Sequence, residues 1–305
     1  MKPPVHWTRL PRPSCWSSCG KNCPLQPSSF WLITSLQILS STASSTLKFL
    51  ALRKSGPRCL ISKQHEEIMS EQPIRVKLLA DAADVLKTLP AMGKLMINSK
   101  SGGATHERIG VVEQVEVRDG WIYFSGSEHH SRIDLSAIAS LIADRSSVMQ
   151  EKVYPRIDLL ADDESVIGSV IGFDGAEPFD KALNGFAFLA LPPKDKDRST
   201  GEALEVGDDE PGLKPFAAAQ RNKAEIRVAL ELPAFKQEWS GEMPEVRPSR
   251  GFINVMKPDF HLHLKAGHVA SWHEVEEGDE YRFYALNETG QQTGLVVSGK
   301  KDAFR

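Results

Sequence analysis

GWIYFSGSEHHSRIDLSAIAS (Gly120–Ser140) and GFINVMKPDFHLHLKAGHVAS (Gly251–Ser271) are two passages of one chain, and they align without a gap at an offset of 131 residues. Gly120 falls on Gly251, Ile122 on Ile253, His130 on His261, and Ile138-Ala139-Ser140 on Val269-Ala270-Ser271. The same offset carries upstream to Gly110 with Gly241, Val115 with Val246, and Leu95/Ile97 with Ile226/Val228. Downstream, after a five-residue adjustment, Gly168-Ser169-Val170-Ile171 meets Gly294-Leu295-Val296-Val297. Single identities of this kind are cheap, but a colinear series over about 75 residues marks an internal duplication.

Each copy carries short runs of alternating apolar residues bounded by turn signals, the pattern of half-buried antiparallel strands. Examples are Val111 to Val117 before Arg118-Asp119-Gly120, Ile157 to Leu160 before ADDES, Tyr281 to Leu286 before NETG, and Leu295 to Val297. The Asp-Gly and Glu-Thr-Gly turns suit hairpins. Ahead of the first copy, Val76, Leu79, Ala83 and Leu86 fit one helical stripe, and LKPFAAAQRNK is a shorter helix candidate ahead of the second. The expected fold class is α+β: two tandem antiparallel β-sheet repeats with short helices, related by a pseudo-twofold with a cleft between them.

The 305 residues suffice for a core without staples, and no run of about 18 apolar residues suggests an integral membrane segment. The formal charge of −3 hides two unlike parts: nine of the 37 Lys+Arg but only two of the 40 Asp+Glu precede Met69, leaving the rest near −10. That acidic balance, with no basic stripe, opposes nucleic acid as a partner. All four cysteines (Cys15, Cys19, Cys23, Cys59) also precede Met69, so the remainder can hold neither a disulfide nor a cysteine–metal site.

Residues 1–68 show no sustained helical or strand period and are expected to be a non-globular extension. The preferred reading makes Met69 the true start, with a basic, Ser-rich targeting segment and plain disorder as alternatives. Cys15, Cys19 and Cys23 lack the CxxC knuckle of a metal cluster. The expected organisation is then 69–192 for the first repeat, 193–212 for a charged, exposed linker rich in Pro and Gly, and 213–305 for the second repeat.

Six histidines sit on or beside the aligned passages: His129, His130, His261, His263, His268 and His273. His261 and His263, two apart, share one face of a strand whose other face carries Phe260, Leu262 and Leu264. Taken alone, such a pair is more often solvated surface than a metal site. At the 131-residue offset, His130 and Arg132 fall on His261 and His263, so both copies present two basic or imidazole groups at equivalent strand positions.

GFINVMKPDFHLHLKAGHVASW, followed by YRFYALNETGQQTGLVVSGK, resembles a segment of the haem-utilisation proteins of the HemS/ChuX type, and THERIGVVEQVEVRDGWIYF is similar in the first copy. The resemblance spans most of residues 90–300. It implies two antiparallel β halves with haem against a sheet, and a haem-facing Arg or His at His263 and at Arg132, with His261 and His130 flanking them. Such a cation could pair with a propionate or hydrogen-bond a distal ligand. Two-half members of that family carry an iron-ligating histidine in a helical insertion, whereas no histidine occurs here between His130 and His261; the expectation is that His263 or His268 substitutes as metal ligand, the alternative being a site for a different tetrapyrrole or none. The implied role is a cytoplasmic haem-binding protein for trafficking or utilisation, a carrier before a hemin-degrading enzyme, with a haem transporter or reductase as partner. The alternative is a non-catalytic scaffold or assembly module that keeps the duplicated fold without a haem site.

No GxxxxGK[ST], GxSxG or HExxH motif is present. The acidic triplets Asp162-Asp163-Glu164 and Asp208-Asp209-Glu210 read as solvated turns.

Overall fold

Arg75–Leu78 is a strand, not the start of the helix expected from Val76, Leu79, Ala83 and Leu86. Val76 and Leu78 alternate inward, and the backbone is paired on both sides, which outweighs the helical period. The helix begins only at Ala82, where the Asp81 carboxylate caps it by accepting from the Ala83 amide at 2.8 Å. The computed structural model describes residues 73–194 and 206–305, which belong to one compact unit. The extension up to Ile68, the start at Met69 and the middle of the linker lie outside the described residues.

In chain order the strands are β1 Arg75–Leu78, β2 Lys94–Ser101, β3 Ala104–Val111, β4 Gln114–Arg118, β5 Trp121–Ser125, β6 His130–Asp134, β7 Ser140–Asp144, β8 Val148–Met149, β9 Lys152–Val153, β10 Arg156–Leu160, β11 Val166–Gly172 and β12 Phe188–Ala190. The later strands are β13 Glu225–Glu231, β14 Phe235–Glu242, β15 Val246–Ser249, β16 Phe252–Lys257, β17 Phe260–Lys265, β18 Ser271–Glu277, β19 Glu280–Leu286 and β20 Gln292–Lys300. Among the described residues three short α-helices accompany them: α1 Ala82–Leu86, α2 Ala176–Leu183 and α3 Lys214–Arg221, the last where LKPFAAAQRNK was expected to be helical. Every strand pair among the described residues is antiparallel, in keeping with the α+β expectation.

Among the described residues ten strands form one sheet in the order β12-β1-β7-β10-β11-β2-β3-β17-β16-β15, eight form a second in the order β18-β19-β20-β13-β14-β6-β5-β4, and β8 and β9 pair with each other alone. Neither large sheet is confined to one half of the sequence. The meander β4-β5-β6 pairs with β14, and β15-β16-β17 pairs with β3. The run Val111 to Val117, expected as one strand, is therefore two: β3 ends at Val111 in the ten-stranded sheet and β4 starts at Gln114 in the other. Val112, fully buried, lies at the crossing.

The hairpins β5–β6 and β16–β17 keep one register at the 131-residue offset: Trp121 faces Asp134 as Phe252 faces Lys265, and Tyr123 faces Arg132 as Asn254 faces His263. Farther on, the register differs from the sequence alignment by one residue. Val170 pairs with Ile97, and it is Val297, not Val296, that pairs with Val228. Bulges in β10–β11 and β19–β20 absorb the difference.

Two cores result. One joins Leu95, Ile97, Leu141, Ile157 and Val170 of the ten-stranded sheet to Ile122, Phe124, Ile133 and Phe235 of the other, beneath α1 and α2. The second joins Val228, Phe283, Leu295 and Val297 to Ala104, Ile253, Val255, Phe260 and Leu262, beneath α3. The linker was expected to be exposed up to Gly212, yet Gly212 is buried and packs close to Ile253 and Leu264. Its neighbours are tied down, Glu210 accepting from the Gly267 amide at 3.1 Å and the Pro211 carbonyl accepting from the Trp272 indole at 2.8 Å.

Candidate functional site

Alternation along β17 buries Phe260, Leu262 and Leu264 and leaves His261 and His263 half-buried on the opposite face of the ten-stranded sheet. β17 lies between β3 and β16, so His261 sits opposite Glu107 and His263 opposite Thr105 and Asn254. The Asn254 amide nitrogen donates to the carbonyls of Arg247 (3.0 Å) and Phe252 (3.1 Å), which turns its oxygen toward His263 Nδ1 at 2.6 Å. Glu107 Oε2 stands 3.2 Å from His261 Nδ1 and 3.9 Å from His263 Nε2. Burial holds the His263 imidazole below its ordinary pKa; Glu107 opposes that shift, and His261 and Lys100 add to it.

On the eight-stranded sheet, Arg132 of β6 lies opposite Tyr123 of β5 and Lys236 of β14. Its guanidinium is 5.4 Å from the Trp121 ring centroid and 6.0 Å from that of Tyr123. Hydrogen bonding to Arg118, and then to Arg132, draws the phenol of the half-buried Tyr123 below its ordinary pKa. A concavity of about 550 Å³ opens here, lined by Tyr123, His130, Arg132, Arg227, Lys236 and Arg282, with Glu231 and Glu238. Arg227 Nε donates to Glu238 at 2.8 Å, and Arg282 to Glu231 at 3.3 Å. Among the described residues, neither Arg132 nor Lys236 has a carboxylate within 4.0 Å.

The expected residues are thus divided. His130 and Arg132 share one concavity, whereas His263 lines a separate one of about 400 Å³ with Ser249, Arg250, Phe252 and Asn254. The shared cleft expected for Arg132 and His263 is absent because their strands, though equivalent in sequence, join different sheets. His268, expected as a metal ligand beside His263, lies past the end of β17, exposed, its ring packed on Gly103. The group that does converge is Glu107, His261 and His263, whose ligand atoms all lie within 4.8 Å of one another.

Sequence reasoning did not reach Glu107, Asn254 or Lys236. One usable signal was the offset, which pairs Glu107 with Glu238 and Asn254 with Tyr123, beside the residues already singled out. His129, also in the aligned passage, is fully buried, and burial pushes its pKa down to about 4, so it belongs to the interior and not to a ligand face.

No family model matches the sequence, and no curated protein matches it. Solved structures do. ChuS, described as an E. coli heme oxygenase, matches with a TM-score of 0.60 at 16% identity, over 75% of this chain and 84% of that one. PhuS, described as a heme-binding protein from Pseudomonas aeruginosa, matches in its apo form with a TM-score of 0.59 at 17% identity, over 74% of this chain and 82% of that one. The resemblance of the two aligned passages to the haem-utilisation proteins is thereby met at the level of architecture: this chain has the fold of ChuS and PhuS.

Proposed function

We propose that the protein binds haem on the concave face of the eight-stranded sheet and accepts it from, or hands it to, a partner such as a haem transporter or a reductase. One observation carries the reading. Arg132 and Lys236 lie directly opposite each other on adjacent strands with no carboxylate partner among the described residues. Like charges placed so are destabilising unless an anion lies between them. Haem would bring two propionate carboxylates and an iron that takes an imidazole. Arg132 and Lys236 would hold the propionates, Trp121 and Tyr123 supply aromatic surface beside them, and His130, on the same strand face as Arg132, is the imidazole in that concavity. His261, His263 and His268 stand apart from it. The fold shared with ChuS and PhuS supports haem as the ligand class, and the cysteine-free sequence after Met69 suits the cytoplasm.

We infer also that the chain is a duplication about a pseudo-twofold, with repeats at 69–192 and 213–305 and a linker at 193–212. In support, replacing each strand of the eight-stranded sheet by its counterpart turns its order into that of β7 to β15 in the ten-stranded sheet. His106 and Gln237, also 131 residues apart, touch each other, as expected of a pair lying on the axis.

An absorbance titration of the full-length protein with hemin tests the haem reading. A saturable Soret shift at one haem per chain is expected. Arg132→Ala or Lys236→Ala should weaken binding about tenfold or more, the worth of a charge-assisted hydrogen bond, and His130→Ala should change the Soret position. Featureless binding, or three variants indistinguishable from the parent, would favour a scaffold that keeps the fold without a haem site.

A further inference from the structure

The geometry points to a divalent transition-metal site on the ten-stranded sheet, formed by Glu107, His261 and His263 and distinct from the proposed haem face. Asn254 sets the tautomer of His263. Its amide nitrogen donates to the Arg247 and Phe252 carbonyls, so its oxygen is the atom facing His263 Nδ1 at 2.6 Å. A carboxamide oxygen can only accept, so Nδ1 carries the proton and the neutral ring keeps its lone pair on Nε2. That lone pair faces Glu107 Oε2 at 3.9 Å, and His261 Nδ1 lies 3.2 Å from the same oxygen.

A lone pair set opposite a carboxylate is repulsive unless a cation lies between them. Ligand atoms about 2.0–2.1 Å from a common ion in tetrahedral geometry are separated by about 3.3 Å; the 3.2 Å pair already has that spacing, while the 3.9 Å pair, with all three ligand atoms within 4.8 Å of one another, closes to it only on side-chain adjustment around an ion. Orientation of a ligating imidazole by an oxygen bonded to its other nitrogen is how such sites are held, and Asn254 does this for His263. Two nitrogens and one carboxylate oxygen select zinc or another late first-row divalent ion over calcium or magnesium. All three side chains are only partly exposed, at 13%, 22% and 32% for Glu107, His261 and His263, which leaves room for water or substrate at the remaining positions. The strand register builds the site: two histidines two apart on β17, with Glu107 opposite the first from β3.

The test is a Co²⁺ titration of the full-length protein, followed by its visible d–d absorption, with Zn²⁺ displacement as confirmation. Cys15, Cys19, Cys23 and Cys59 are alkylated beforehand so that thiolates cannot bind the probe. One ion per chain is expected, with d–d bands free of thiolate charge transfer. Affinity should fall 100-fold or more in Glu107→Gln and His263→Ala, and about 10- to 100-fold in Asn254→Ala, which removes no ligand. Arg132→Ala should bind cobalt as the parent does, so failure of the haem reading leaves this one standing, and the reverse. Absence of saturable binding, or binding unchanged in folded Glu107→Gln and Asn254→Ala, overturns the assignment.

Discussion

His106 and Gln237 meet in the interior, where the Gln237 amide nitrogen stands within hydrogen-bond distance of His106 Nδ1 (3.0 Å), the His106 carbonyl (3.1 Å) and the Ile97 carbonyl (3.0 Å). His106 Nε2 donates to the Val228 carbonyl at 3.1 Å, which leaves Nδ1 to accept from Gln237 Nε2 at 3.0 Å; Gln237 also donates to the Ile97 carbonyl at 3.0 Å and accepts from Ser131 Oγ at 2.7 Å. A protonated ring would turn Nδ1–H against the Gln237 amide hydrogens. Burial, first, pushes the His106 pKa down from 6.5 to about 3, with the Val228 carbonyl opposing. Because the folded value lies below the unfolded one, acid protonates the unfolded chain first. The stability is full above about pH 6.5 and is lost as pH falls toward the folded value, by up to about 1.4 kcal/mol per pH unit. His106→Gln, which keeps a donor for Val228, should therefore lose about 1.5 kcal/mol less than the parent between about pH 6.5 and pH 5 in urea melts. Equal acid slopes would show that His106 does not titrate on unfolding. None of this was visible in the sequence, where His106 is a lone histidine outside the aligned passages. His261 and His263 could be assigned to one strand face because alternation is local, whereas Glu107 is 154 residues from His261 and becomes its neighbour only through strand pairing.

At the scale of elements, β17 shows what a strand lent to another sheet must do. Its backbone pairs with β3, far earlier in the chain, while Phe260, Leu262 and Leu264 fill the core beside α3. Phe260 is fully buried, stacked on Trp239 with ring centroids 4.7 Å apart and tilted against His106 at 4.9 Å. Phe260→Ala is expected to cost about 3–5 kcal/mol, read as a lower denaturation midpoint. A loss below about 1 kcal/mol would mean that the seam repacks freely. Val76 and Leu79 looked helical for the same reason that β17 looked like a strand, since both readings use side-chain period alone. The period was overridden at β1 because an edge beside β7 was open to it, and pairing there satisfies its backbone.

For the whole molecule, the crossing of three-stranded meanders means that each large sheet needs strands from both halves of the chain. A protease site placed within the charged 195–205 segment should allow cleavage without separation, the two fragments co-eluting on size exclusion. Fragments expressed alone should be unfolded by circular dichroism and recover structure on mixing. A first fragment that folds cooperatively by itself would contradict the shared-sheet architecture.

By itself the sequence determined the 131-residue self-alignment, the alternation that makes strands of both aligned passages, the helix at Lys214–Arg221, and the matching places of Arg132 and His263 in their hairpins. Each of these depends on neighbours along the chain or on a comparison of the chain with itself. Only the tertiary structure decided which sheet each of the two hairpins joins, and hence that Arg132 acquires Lys236 as its cross-strand neighbour while His263 stands near Glu107. The physical reason is that a strand's side-chain period chooses its buried face, but its hydrogen-bonding edges are nearly alike in every strand, so its partner is chosen by the burial of the assembled cores.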